Sequence, residues 1–332
     1  MHWWKSPNKT IKQDGLTLHA ISKKHEMYKG DRRSIKEGIL FGLACLKLIT
    51  VKFDVIDVDH MPFFPIYSSW IVCKLRRKRM YATWHEALSR KDWTDYMGKL
   101  GIVSYYIQKI SIKLPSHITV SSPHTVKNLA KYHGRKNHVS LVTPGINFKE
   151  LSKIKPSKNK TDILYIGRLV KDKNIDVLVS AISIMAKKRK DIICTIIGHG
   201  VEKENIAKLI RSMQLASNIK LLDPFPNSVD IYAQMKSAKV FAFPSVREGF
   251  GIVALESLGC GTPVVTTSSN ANAAKELIND GVNGFIIPPD DINLADALDK
   301  WIDNKPKNIV NSVKKEYDWD ALAIQQIKVY AL

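Results

Sequence analysis

The sequence predicts an α/β fold in two domains, each with a parallel sheet covered by helices on both faces. Three observations carry that expectation. Apolar runs of strand length alternate with helical patterns, cleanly in the second half and less cleanly in the first; such alternation threads parallel strands through crossover helices. With 332 residues, 45% hydrophobic and 25% charged, the chain exceeds what one core usually serves. A polar, lysine-rich stretch at 148–160, ending Lys-Pro-Ser-Lys-Asn-Lys, divides the halves and suits a linker.

In the first half, strands are expected at 16–21, 55–59, 80–83, 118–121 and 139–142. The second half places them at 163–167, 192–198, 219–222, 240–243, 263–266 and 284–287. Helical patterns such as 175–186 and 206–215 carry apolar residues at three- and four-residue spacing. The last segment, 319–332, reads as an amphipathic helix. Ligands of open parallel sheets bind at the carboxyl ends of the strands, where Arg168, His199, 244–248 and 267–270 fall.

The formal charge is +20, unevenly spread: residues 1–150 hold 26 Lys and Arg against 11 Asp and Glu, and residues 151–332 hold 25 against 20. The densest cluster is Lys74-Leu75-Arg76-Arg77-Lys78-Arg79. It suits a solvated helix end, or attraction to an anionic membrane surface or a phosphate-bearing acceptor, where each cation contributes about 1 kcal/mol. Nucleic acid is not the expected partner, because no zinc-finger, helix-turn-helix or aromatic RNA-binding signature accompanies the charge. Cys45, Cys73, Cys194 and Cys260 are scattered in apolar runs without metal or disulfide spacing, which points to a reducing compartment. The most apolar run, 38–51, is too short to span a bilayer and carries Lys47. A cytoplasmic protein is expected, or one peripheral at the inner face of a membrane.

Glu248 and Glu256 stand eight positions apart in Pro-Ser-Val-Arg-Glu-Gly-Phe-Gly-Ile-Val-Ala-Leu-Glu, which reads as a strand end, a Gly-bearing loop and a helix start. Backbone amides of Phe250, Gly251 and Ile252 would cap that helix; with the dipole behind them they attract phosphate. Carboxylates beside a phosphate site are unfavourable unless they accept hydrogen bonds, and sugar and ribose hydroxyls are donors. The run therefore points to a nucleotide-sugar pocket. Arg168 and Lys173, after a strand end and before a helix, offer cations to a departing diphosphate. The alternative for them is a surface ion pair with Asp172 or Asp176. Gly198 and Gly200 flank His199 at a strand end, where a tight turn would let the chain approach the nucleotide. Asp57-Val58-Asp59 is a weak metal-style triplet; the alternative is strand-terminal carboxylates contacting acceptor or helix amides. His85 follows an apolar strand, with His60 a weaker candidate. Ser121, Ser122, His124 and Gly145 follow other strands, as turn residues or as residues near the cleft. Trp3, Trp4, Phe63 and Phe64 read as core, with the acceptor side or a membrane as the alternative.

The Glu-seven-residues-Glu run resembles that of the retaining GT-B glycosyltransferases of the family 4 type, glycosyl transferases group 1. Four other segments match in order: Tyr-Ile-Gly-Arg-Leu-Val-Lys-Asp-Lys-Asn from Tyr165, Ile-Ile-Gly-His-Gly from Ile196, Phe-Ala-Phe-Pro-Ser from Phe241, and Asp-Gly-Val-Asn-Gly-Phe from Asp280. The resemblance implies two Rossmann-like domains facing across a cleft. It implies Arg168 and Lys173 on the donor diphosphate, Glu248 on hydroxyls of the transferred sugar, Glu256 on the ribose, and His85 as the first-domain histidine facing the donor sugar. It implies sugar transfer with retention, on one face of the ring, with no metal and no cofactor beyond a UDP- or GDP-sugar. The acceptor is expected to be a glycan or a lipid-linked hydroxyl. Expected domains are 1–147, a linker 148–160, 161–316, and a helix 317–332 returning to the first domain. Family members usually open with a strand, a Gly-rich loop and a helix that 1–15 do not match, so a first domain lacking that unit is expected. A nucleotide-sugar epimerase of the same fold, a phosphorylase (for which no pyridoxal-phosphate lysine stands out), or an inactive membrane-surface partner subunit are the alternatives.

Overall fold

The computed structural model describes residues 9–23, 28–29, 32–304 and 306–331. Trp3, Trp4 and the other opening residues up to 8 lie outside them. The chain forms two compact units, residues up to Val142 together with Ile327–Leu332, and Thr143–Gln326.

The first unit opens with an exposed antiparallel hairpin of β1 (Thr10–Gln13) and β2 (Leu16–His19), and a two-residue ladder of β3 (Tyr28–Lys29) with β4 (Arg32–Arg33). Helix α1 (Ile35–Ala44) is capped by Ser34, whose hydroxyl accepts from the Glu37 amide. Then β5 (Val55–Asp59), α2 (Phe64–Arg76), β6 (Arg79–Trp84), α3 (Arg90–Met97), α4 (Leu100–Ser111), β7 (His117–Val120), α5 (Pro123–His133) and β8 (Val139–Leu141) alternate. The four strands pair in parallel in the order β5-β6-β7-β8. Ile56 and Val58 of β5 point into the core with Met80, Ala82, Trp84, Ile118 and Val120, leaving Asp57 and Asp59 together on the opposite face. Phe63 belongs to this core. Helix α1 turns its glycines inward: a Cβ on Gly42 would stand 2.6 Å from Phe64 Cβ, so only glycine lets α1 approach α2 this closely. The flank of α1 next to those glycines exposes Ile35, Ile39 and Leu43.

In the second unit, α6 (Phe148–Lys153) precedes β9 (Thr161–Ile166), α7 (Ile175–Ala186), β10 (Cys194–Ile197), α8 (Lys203–Ser212), β11 (Ile219–Leu222), α9 (Ser228–Ser237) and β12 (Ala238–Phe243). Next come β13 (Arg247–Glu248), α10 (Ile252–Gly259), β14 (Val264–Thr267), β15 (Ala271–Asn272), β16 (Gly284–Ile287), α11 (Asp291–Asp303), α12 (Ile309–Tyr317) and α13 (Trp319–Tyr330). Six parallel strands run β11-β10-β9-β12-β14-β16, with apolar layers on both faces. Boundaries of the strands read from the sequence differ by at most two residues, and those of β5, β11 and β16 coincide. The stretch 148–160 is not wholly a linker. Asn147 caps α6, and Phe148 and Leu151 enter the core against Gly259, because two apolar residues three apart on one helical face outweigh the surrounding lysines.

Helix α13 belongs to the second unit up to Gln326 and to the first from Ile327. Within the first unit, the Tyr330 hydroxyl donates to Asp57 Oδ2 at 2.5 Å, and the Tyr81 hydroxyl donates to the Tyr330 carbonyl at 3.0 Å. No helix among the described residues is long and apolar enough to cross a membrane.

Candidate functional site

Lys173 and Glu248 meet. The ammonium lies 2.5 Å from Glu248 Oε1 and 3.4 Å from the Arg247 carbonyl, with the side chains only 12% and 14% exposed. Two loops make this possible. A 3₁₀ turn over Lys171–Lys173 ends at Asn174, whose left-handed backbone (φ 49°) starts α7. The Val246 amide donates to the Asp172 carbonyl at 3.0 Å, tying the Glu248 loop to that turn. On its other side, β13 pairs with β15, and the buried Asn272 side chain donates to Thr266 Oγ1 and to the Thr267 carbonyl. The alternative partners Asp172 and Asp176 do not take Lys173.

Gly251 caps α10 with φ 92°, and a Cβ there would stand 2.5 Å from Ala274 Cβ, so geometry and space both require glycine. The ring of Phe250 is buried, whereas Ile252 is exposed. As at any helix start, the first amides of α10 have no partner inside the helix. Glu256, on the next turns, accepts from the Tyr232 hydroxyl at 2.9 Å. Burial pushes its carboxyl above the usual range, and the tyrosine hydrogen bond offsets this only in part. Tyr232, on α9, was not singled out by the sequence: nothing in its own stretch marks it, and only the packing of α9 on α10 brings it to Glu256.

Arg168 is exposed, and its guanidinium makes no ion pair among the described residues. Its carbonyl accepts from the buried Tyr165 hydroxyl at 3.0 Å, beneath Gly167. Gly198 and Gly200 do permit a close approach, but to the neighbouring loop: a Cβ on either would stand 2.1 Å from a carbonyl, that of Gly167 or of Leu169. The Leu169 amide donates to the His199 carbonyl at 3.0 Å, while the His199 side chain is exposed. Gly145 likewise meets Leu322 and the Tyr317 carbonyl, so its closeness serves packing against the last two helices.

The first unit carries a separate cluster at the ends of β5 and β6. Asp59 Oδ2 is 3.1 Å from His85 Nε2, and its Oδ1 accepts from the Met61 amide at 3.0 Å. His60, buried and stacked on Trp84 at 5.1 Å, has Nδ1 3.5 Å from Asp59 Oδ1 and 3.4 Å from the His85 amide. Nδ1 serves one of these at a time: it accepts from the amide when the ring proton is on Nε2, and donates to Asp59 in the other tautomer. Partial burial pushes the Asp59 carboxyl up, but the two histidines and the Met61 amide outweigh it and hold the group far below the carboxylate range. Burial holds His60 below its ordinary value, against the pull of Asp59. The Asp-x-Asp triplet thus splits, with Asp57 taking the Thr83 hydroxyl and Tyr330. Ser121 Oγ and Thr125 Oγ1 both donate to the His85 carbonyl, and Ser122 caps α5.

Among the described residues, no group of three His, Cys, Asp or Glu is arranged to hold a metal ion. The four cysteines are free and buried; burial pushes the Cys45 thiol up to about 11.

The family model described as "Glycosyl transferases group 1" matches residues 147–316. An uncharacterized glycosyltransferase of Methanocaldococcus jannaschii is 32% identical over 177 residues, 51% of this chain and 44% of that protein. The chain spans about half the length of curated relatives of this kind. Among solved structures, sucrose-phosphate synthase from Thermosynechococcus elongatus superposes with a TM-score of 0.80 at 19% identity, over 98% of this chain and 86% of that one. Anabaena HepE in complex with UDP and glucose gives a TM-score of 0.72 at 18% identity, over 87% and 81%. At these identities the likeness concerns the fold, which is GT-B.

Proposed function

The chain belongs to the glycosyl transferases group 1 family, and we propose that it is a retaining, metal-independent glycosyltransferase, moving a hexose-type sugar from a UDP- or GDP-sugar to an acceptor hydroxyl. The observation that carries this is the Lys173–Glu248 contact. Residues 75 positions apart, one suited to a diphosphate and the other to sugar hydroxyls, share one nearly dry spot. In the reaction, the bond from the anomeric carbon to the diphosphate oxygen breaks. The acceptor oxygen bonds to that carbon on the same face, and its proton goes to the departing diphosphate. Negative charge builds on that leaving group; Arg168, Lys173 and the amides of Gly251 and Ile252, with the α10 dipole, supply positive charge to meet it. Glu248 accepts from hydroxyls of the transferred sugar and Glu256 from the ribose, with Gly198 and His199 near the nucleotide. His85 orients a sugar hydroxyl.

Glu248→Gln tests this reading: transfer falls on the order of a hundredfold, whereas a rate near that of the parent protein would sink it. Thermal shift with UDP- and GDP-sugars reads the donor directly, because ligand at 100 times its Kd adds about 2.7 kcal/mol.

The acceptor in this reading is lipid-linked or a surface glycan precursor, met at an anionic membrane. Supporting it, the first unit exposes Ile39 and Leu43 on α1 and, within the Lys74–Arg79 cluster itself, Leu75, while Arg76 of that cluster donates to the Ile49 and Val51 carbonyls in the turn that follows α1. Sedimentation with anionic but not neutral vesicles is the expected result; equal pelleting with both, or with neither, contradicts it.

A further inference from the structure

His85 is held from several sides, and one of its holders has no part in the proposed chemistry. The His85 carbonyl takes hydrogen bonds from Ser121 Oγ at 3.1 Å and Thr125 Oγ1 at 3.0 Å, which fix the backbone. The imidazole itself is 47% exposed, so packing alone leaves it free to rotate. Among the described residues, its polar contact is Asp59 Oδ2 at 3.1 Å from Nε2. Asp59 is in turn fixed at the end of β5 by the Met61 amide, in register with Thr83 on β6.

We propose that Asp59 is a positioning residue for His85: by accepting the Nε2–H it selects one tautomer and one ring orientation, and leaves the Nδ1 lone pair as the acceptor for a hydroxyl. The chemistry is constrained. An ionised carboxylate only accepts, so Nε2 at that distance must carry the proton, and a neutral imidazole then has Nδ1 bare. Asp59 is held well below the carboxylate range, which keeps it ionised at neutral pH. His60, stacked on Trp84 beneath, bounds the other side of the carboxylate. That the hydroxyl is a sugar's rests on the glycosyltransferase reading; the tautomer does not.

Two measurements on the full chain decide the matter. Histidine-selective ¹⁵N spectroscopy of the ligand-free protein, at a pH alkaline enough for the imidazole to be neutral, is expected to show His85 as the pure Nε2–H form, and Asp59→Ala to turn it into a tautomer mixture. In transfer assays, Asp59→Ala lowers kcat on the order of tenfold to a hundredfold with KM nearly unchanged. Asp59→Glu recovers part of the loss, and Asp59→Ala costs nothing further once His85 is alanine. An unchanged His85 spectrum in Asp59→Ala overturns the proposal, as do independent losses that multiply. Should no nucleotide sugar support transfer at all, the glycosyltransferase reading fails, and the spectroscopic result still judges Asp59.

Discussion

Each unit pairs a carboxylate with a cationic or ionisable nitrogen, and the two pairs are built oppositely. Lys173–Glu248 is 12% and 14% exposed, sealed by the Val246–Asp172 tie and the β13–β15 ladder. His85–Asp59 is 47% and 58% exposed, at the ends of two strands. Coulomb attraction is strong in the first setting and largely screened in the second. The dry pair must stay matched, since an orphaned charge there has no water to turn to. The wet pair tolerates loss of either member, and is therefore suited to setting direction and proton position more than stability. In the proposed reaction the first pair serves the fold and the donor chemistry together; the second can be tuned with little cost to folding.

The largest effect should come from breaking the dry pair. Lys173→Met leaves Glu248 buried and uncompensated, and unfolding free energy should drop by about 3 kcal/mol. Adding Glu248→Gln removes the stranded charge and should restore most of that stability while transfer stays lost. Denaturant titration of the two variants checks it. A single-variant loss under about 1 kcal/mol would mean that water reaches the pair and the contrast between the units is false.

The same contrast explains what could be read from the chain. Strands of the second unit were legible because Val240 to Phe243 or Val264 and Val265 are buried on both sheet faces, so apolar runs stand out without periodicity. Lys173 and Glu248 stood out in the sequence as candidate site residues, but their contact did not: it depends on the left-handed Asn174 and on a loop tie between distant residues. The helix at Phe148 hid in a lysine-rich stretch, where composition outweighed the Asn147 cap and the Phe148–Leu151 spacing. In the first unit, Asp59 read as half of a weak metal triplet, because strand alternation puts it beside Asp57 but says nothing of His85, 26 residues away. Tyr232 was invisible for the same reason.

A middle-sized effect concerns Glu256, which opposes Asp59 in sign. Its folded-state carboxyl is raised by burial, so the folded state favours the protonated form. The associated stability is present below the unfolded value of about 4.3 and is lost as pH rises through the folded value. Glu256→Gln should therefore be more stable than the parent protein at neutral pH, with the gap closing in acid. Nucleotide affinity should fall about tenfold, as a charged acceptor is replaced by a neutral one. Calorimetry across pH, with and without UDP, reads both. A variant that loses stability at neutral pH would show that the Tyr232 hydrogen bond outweighs burial.

The smallest effect is expected at Asp59. Its carboxyl is held low, so its contribution is present above the unfolded value of about 3.9 and is lost as pH falls through the lower folded value. With the side chain 58% exposed, water screens that contribution, and Asp59→Asn should change neutral-pH stability by about 0–1 kcal/mol. The difference from the parent protein should shrink further below about pH 4. Melting curves at neutral and acid pH measure it. A loss as large as that of Lys173→Met would mean that the His60–Trp84 stack makes Asp59 part of the core, and the wet pair would then be no freer to serve orientation alone than the dry one.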